Sequence, residues 1–83
     1  MLLSKNQRFI KEHSEFSEKI ARISNEQIKN DCTILLRDLS RYVQELDNKH
    51  IEFTSSRMPD HLVDIRENIQ LIRKKLNSRL KDF

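Results

Sequence analysis

The absence of glycine is the feature of this sequence that most constrains its fold. The chain has 83 residues, of which none is Gly and one is Pro. Gly and Pro form most tight turns and sheet connections, so a chain almost without them has few places where it can reverse direction. We therefore expect long helices and no all-β fold.

The lack of glycine also removes several catalytic motifs. Phosphate-binding loops and the nucleophile elbow of α/β hydrolases need Gly at fixed positions. A sequence without Gly contains none of these motifs. Nucleotide-dependent and hydrolase chemistry therefore have no support in the sequence, and we expect neither an enzyme nor a bound cofactor.

The size of the chain and its single cysteine favour association with another chain. A domain of this length buries only about 60% of the surface that its unfolded chain exposes, so its own core is thin. Cys32 is the only cysteine, which excludes an intrachain disulfide. We expect residues 1–83 to form a single domain that assembles as a homodimer.

Location is predicted from what the sequence lacks. No run approaches the roughly 18 apolar residues of a membrane span, and Leu2 and Leu3 are followed at once by polar residues, unlike a signal peptide. A single cysteine is also typical of a reducing compartment. We expect a cytoplasmic protein without a membrane span.

Apolar residues recur at helical spacing in three segments. The first seam is Leu2, Phe9, Phe16 and Ile23, at intervals of seven, together with Ile20. The second is Ile28, Cys32, Leu35, Leu39, Tyr42 and Leu46, widened by Leu36 and Val43. The third is Leu62, Ile65, Ile69, Ile72, Leu76, Leu80 and Phe83. These seams predict amphipathic helices over about 4–23, 26–49 and 59–82.

Three long amphipathic helices bury their seams best when they lie lengthwise against each other. The predicted fold is a small all-α antiparallel bundle, in which the second and third helices form a hairpin. The first helix either completes a three-helix bundle or exchanges with a second protomer.

Local signals predict the helix boundaries. Ser24 and Gln27 have the spacing of a capping box, which places a boundary near residues 24–26, with a bent continuous helix as the alternative. Residues 51–58 form the predicted loop before Pro59. Ser55 or Ser56 is the expected cap of the third helix, with Pro59 in its first turn.

No set of side chains forms a convincing catalytic or metal site. Arg8 and His13 have an R-x4-H spacing that resembles the paired residues of HEPN-type ribonucleases. The motif is short, and we interpret His13 as a surface or boundary residue. The three histidines and Cys32 lack the spacing of metal ligands, and Cys32 on an apolar seam is expected to be a buried thiol. No metal is expected.

Basic residues concentrate in the last predicted helix. The candidate anion-binding residues are Arg66, Arg73, Lys74, Lys75, Arg79 and Lys81. Cations near a helix C-terminus also interact favourably with the helix dipole, so a solvated basic end is the simpler interpretation. A small nucleic-acid-binding regulator is the alternative function that these residues support.

The amino-terminal segment has more apolar residues than one helix face needs. Leu3 and Ile10 lie beside the first seam, next to Phe9 on it. Such a surplus is typical of an intermolecular contact. The sequence thus favours a non-enzymatic protein-binding adaptor or regulator that acts through an apolar helix face, with Leu3, Phe9 and Ile10 as the contact residues.

Overall fold

The computed structural model describes residues 6–52 and 56–82, except for the side chains of residues 7 and 8. It contains three helices: α1 (Gln7–Ala21), α2 (Glu26–Asn48) and α3 (Asp60–Leu80). No strand occurs in the ranges just given, and the helices pack against one another. The predicted fold class, a small all-α bundle, is confirmed.

The helices α2 and α3 run antiparallel. Arg79, near the end of α3, lies 3.9 Å from the carboxylate of Asp31, near the start of α2. The first predicted seam packs into the core that α1 shares with these two helices, since Phe9, Phe16 and Ile23 are each less than 10% exposed. Leu2 and Phe83, which were predicted to extend the seams, lie outside the described residues.

The buried face of α2 is rotated relative to the predicted seam. The buried residues of α2 are Cys32, Leu36, Leu39, Val43 and Leu46. Ile28 is 41% exposed, and Leu35 and Tyr42 are only half-buried. Leu35 and Tyr42 of the predicted seam thus pack at the edge of the core and Ile28 is exposed, whereas Leu36 and Val43, which were predicted only to widen the seam, are buried.

The position of α1 explains this rotation. Asp47 of α2 accepts a hydrogen bond from Asn6, at the start of α1. Leu36 and Val43 lie within about 40° of Asp47 around the α2 axis, so they face α1 and become buried. The side that carries Leu35 and Tyr42 has no such cover from α1.

Asn25, and not Ser24, caps the second helix. Its side chain accepts a hydrogen bond from the backbone N–H of Ile28 at 3.1 Å, so the predicted Ser24–Gln27 capping box is wrong by one residue. Residues 23–25 are not helical, which excludes the bent continuous helix.

Pro59 is the N-cap of α3, with no side-chain cap bond. Ser56 therefore does not cap α3, and Ser55 lies outside the described residues.

The end of α2 is closed by a backbone motif that needs a left-handed residue. The N–H of Ile51 donates to the carbonyl of Leu46 at 3.0 Å, and the N–H of His50 donates to that of Asp47 at 2.9 Å. This is the Schellman arrangement, in which glycine usually occupies the position of His50. His50 takes it with a φ of 58°.

Candidate interaction surface

The structure separates the residues of the predicted contact group. Phe9 is 7% exposed and belongs to the core, where its ring meets the ring of His13 edge-on at a centroid distance of 5.8 Å. Ile10, the next residue, is 61% exposed. Leu3 lies outside the described residues. Ile10 is therefore the described member of the group whose side chain is available for a contact.

Ile10 heads an uncharged strip along α1. The strip consists of Ile10, Ser14, Ser17 and Ala21, which are all exposed. Their spacing of four, three and four residues places them on one side of the helix. We call this surface the Ile10 strip. Sequence reasoning found Ile10 but missed the strip, because serine and alanine give almost no hydropathic signal.

The Ile10 strip faces away from α3. Glu12, two residues after Ile10, accepts two hydrogen bonds from the guanidinium of Arg73 on α3, at 2.9 and 2.8 Å. Two residues correspond to about 200° around a helix, so the side chains of Ile10 and Glu12 point in nearly opposite directions. The ion pair thus fixes α1 with its uncharged strip outward.

Three of the predicted anion-binding residues lie together on α3. Lys74, Lys75 and Arg79, with Leu71 and Ser78, line a shallow surface depression of about 340 Å³. Leu71, the apolar residue of this lining, is 50% exposed. Three basic side chains in one depression can accept an anionic group.

The other predicted anion-binding residues lie elsewhere. Arg73 points to Glu12 on α1. Arg66 is half-buried, and Lys81 is exposed at the C-cap of α3. The structure therefore brings together half of the predicted cluster.

Cys32 is a buried thiol, as the sequence predicted. Its side chain is fully buried, and this burial raises its pKa above the ordinary value. The positive charge of Arg79 opposes the rise, and the negative charge of Asp31 adds to it. A protonated, inaccessible thiol is a poor nucleophile at neutral pH.

Histidine and acidic side chains do not converge in the part of the chain that the structure covers. His50 and His61 are exposed, and His13 is half-buried against Phe9. Within residues 6–52 and 56–82, no three His, Cys, Asp or Glu side chains are placed to hold a metal ion.

Asn6 is a buried polar residue that sequence reasoning missed. It is 3% exposed, and its amide donates to the carboxylate of Asp47 and, at 3.1 Å, to the carbonyl of Ile51. These bonds tie the start of α1 to the end of α2. A sequence pattern gives no signal for such a link, because it joins residues more than 40 positions apart.

In the described parts of the chain, no helix combines the length and the apolar composition needed to cross a membrane. Comparison with protein-family models gives no match, and comparison with curated proteins and with solved structures gives none either.

Proposed function

We propose that this protein is a non-enzymatic protein-binding adaptor or regulator, and that it binds an amphipathic helix of its partner through the Ile10 strip. The observation that carries the proposal is the exposure of Ile10, at 61%, within a strip that has no charged residue.

The contrast with the rest of α1 supports this function. The other exposed side chains described in the helix are all charged, namely those of Lys11, Glu15 and Glu18. A solvent-facing helix surface is normally polar or charged along its whole length. An uncharged strip on a helix with a separate core face and a separate charged face indicates a second contact surface.

The shape of the strip suits a helix as partner. Ser14, Ser17 and Ala21 are small, and the distance between packed helix axes depends on the side chains at the contact. A partner helix can approach closely along these three residues, and Ile10 can insert between its side chains. Recognition of an amphipathic helix by an apolar surface is a common mode of protein binding.

The test compares two neighbouring exposed residues. A photocrosslinking amino acid at position 14 captures and identifies the partner in extracts of the native host, and binding is then measured with purified components. We expect Ile10→Ser to weaken binding at least about tenfold, because the main apolar anchor is lost. Lys11→Ser should leave binding nearly unchanged, and both variants should keep the helical circular dichroism of the parent chain.

Two results would contradict the proposal. One is a partner that binds Ile10→Ser as tightly as the parent chain. The other is binding that is lost in Lys11→Ser and retained in Ile10→Ser, which would assign the contact to the charged face.

A second candidate function, nucleic-acid binding, is supported by the depression lined by Lys74, Lys75 and Arg79. With three phosphate contacts, a plot of the logarithm of the association constant against the logarithm of the salt concentration should have a slope of about −2.7. The measurement is the affinity for a short duplex at several salt concentrations. We expect the variant Lys74→Gln, Lys75→Gln, Arg79→Gln to flatten this slope if the function holds. A parent chain that does not bind the duplex even at low salt would exclude it.

A further inference from the structure

A second apolar surface lies on the α2/α3 hairpin. Leu35 and Tyr42 of α2 and Ile65 and Ile72 of α3 are half-buried and pack against the core. The members of each pair are seven residues apart, so each pair lies on one side of its helix. Ile28, seven residues before Leu35, extends the row on α2 and is 41% exposed. We call these five residues the hairpin strip.

On α2, this strip points away from α1. Asp47 marks the side of α2 that faces α1, because it binds Asn6. Asp31, which approaches Arg79 of α3, lies sixteen residues earlier and therefore about 160° away around the helix. Leu35 and Tyr42 lie within about 40° of the direction of Asp31.

On α3, the strip lies on the side that faces α2. Arg73 marks the side that faces α1, because it binds Glu12. Arg79 lies six residues later, or about 120° around the helix, and approaches α2. Ile65 and Ile72 lie within about 40° of the direction of Arg79. The apolar rows of the two helices thus border the same α2/α3 seam, on the side of the core away from Arg73 and Asp47.

The flanks of the strip carry opposite charges on the two helices. Asp31 and Asp38 flank the row on α2, with side chains that are 51% and 38% exposed. Lys75 and Arg79 flank the row on α3 and are exposed. Because the helices are antiparallel and Asp31 lies against Arg79, Asp38 and Lys75 lie within about one helical turn of the same height along the hairpin.

This arrangement is complementary to itself. If a second copy is turned by 180° about an axis parallel to the helices and laid on the strip, its α2 lies over α3 of the first copy. Asp38 of each copy then faces Lys75 of the other. In a closed two-fold dimer, each copy contributes the same surface, so that surface must carry both the acidic and the basic side chains.

We propose that the hairpin strip is a homodimer interface, in which α2 of each copy packs against α3 of the other to form a central four-helix arrangement. The charges on the two flanks support a second copy as the occupant, since the acidic side of the surface matches its basic side. The inference does not depend on the Ile10 strip, which lies on α1.

Charge exchange across the interface tests the proposal. We expect sedimentation equilibrium of the parent chain to show a dimer at tens of micromolar, by order of magnitude. Asp38→Lys and Lys75→Glu should each weaken the dimer at least about tenfold, because like charges then meet twice in each interface. An equimolar mixture of the two variants should regain the parental affinity, since every contact in the mixed dimer again joins opposite charges.

Lys74→Glu is the matched control. Lys74 is also exposed, but it lies about 100° further from the strip around α3 than Lys75 does. It should leave the dimer unchanged, and so should Ile10→Ser. A parent chain that stays monomeric up to about 100 μM would overturn the proposal, and the strip would then be a site for another protein. A mixture that associates no better than the separate variants would also overturn it.

Discussion

Arg73 of α3 and Glu12 of α1 form a two-pronged ion pair, in which the Nε and one terminal nitrogen of the guanidinium each donate to one carboxylate oxygen. Their side chains are 30% and 20% exposed. The sequence places Arg73 in a basic cluster, whereas the structure uses it to join two helices. This pair sets the rotation of α1 and thereby the outward direction of the Ile10 strip.

Removal of either partner should destabilise the bundle. We expect Glu12→Gln and Arg73→Gln each to lower the free energy of unfolding by about 1 to 2 kcal/mol, between the values for exposed and for buried pairs. Arg73→Lys should restore only part of the loss, because an ammonium cannot make the same two-pronged contact. Urea unfolding of the two single variants and the double variant measures the coupling. A coupling energy near zero would mean that the pair does not hold α1 in place.

The core of α2 gives a prediction with an internal control. Leu39 is fully buried, so Leu39→Ala should lower the free energy of unfolding by about 2 to 5 kcal/mol through loss of apolar contact and creation of a cavity. Arg41, two residues later, has a side chain that is 70% exposed, and Arg41→Ala should change stability by less than about 0.5 kcal/mol. Equal urea midpoints for the two variants would contradict the helix phase.

Periodicity predicted the helices but not how they face each other. The start of α2 was predicted at its observed residue, and that of α3 lay one residue away, because apolar spacing determines which segments can be amphipathic helices. It does not determine which part of a wide apolar face meets a neighbour. The sequence places Leu35 on the seam and Leu36 beside it, yet Leu36 is the buried one because it lies on the side of α2 that faces α1.

Residue 50 gives a prediction of increased stability. His50 holds a φ of 58°, and a side chain with a Cβ is disfavoured there by roughly 1 kcal/mol or more. We expect His50→Gly to raise the free energy of unfolding by about 0.5 to 1 kcal/mol, since the gain is partly offset by the greater freedom of glycine in the unfolded chain. The urea midpoint measures the change. Lys49→Gly is the control and should lower stability, because Lys49 has a negative φ. A lower midpoint for His50→Gly would mean that the helix ends differently in solution.

The candidate sites were predicted in part for similar reasons. Ile10 could be identified because a large apolar residue beside a seam is conspicuous, and Lys74, Lys75 and Arg79 because their charges are consecutive or one turn apart. The partners of charged residues could not be predicted. Glu12 lies among several similar charged residues on α1, and its pairing with Arg73 depends on how α1 crosses α3.

The thiol of Cys32 should make stability depend on pH in the alkaline range. Burial raises its pKa in the folded state, so the folded chain keeps this proton at pH values where the unfolded chain has lost it. The contribution of this thiol to the free energy of unfolding is therefore fully present below the ordinary thiol pKa of about 8.5. It decreases as the pH rises from there through the pKa of the folded chain. Comparison of urea midpoints at several pH values for the parent chain and for Cys32→Ala isolates this contribution.

Two further measurements bear on the same thiol. Alkylation by iodoacetamide should be much slower in the folded chain than in urea, because the side chain is fully buried. Arg79→Gln should raise the folded pKa of Cys32 further, since the positive charge of Arg79 lowers it, so the loss of stability should extend to higher pH. If folded and unfolded chains react at the same rate, or if Cys32→Ala has the same alkaline pH profile as the parent chain, burial does not control this thiol.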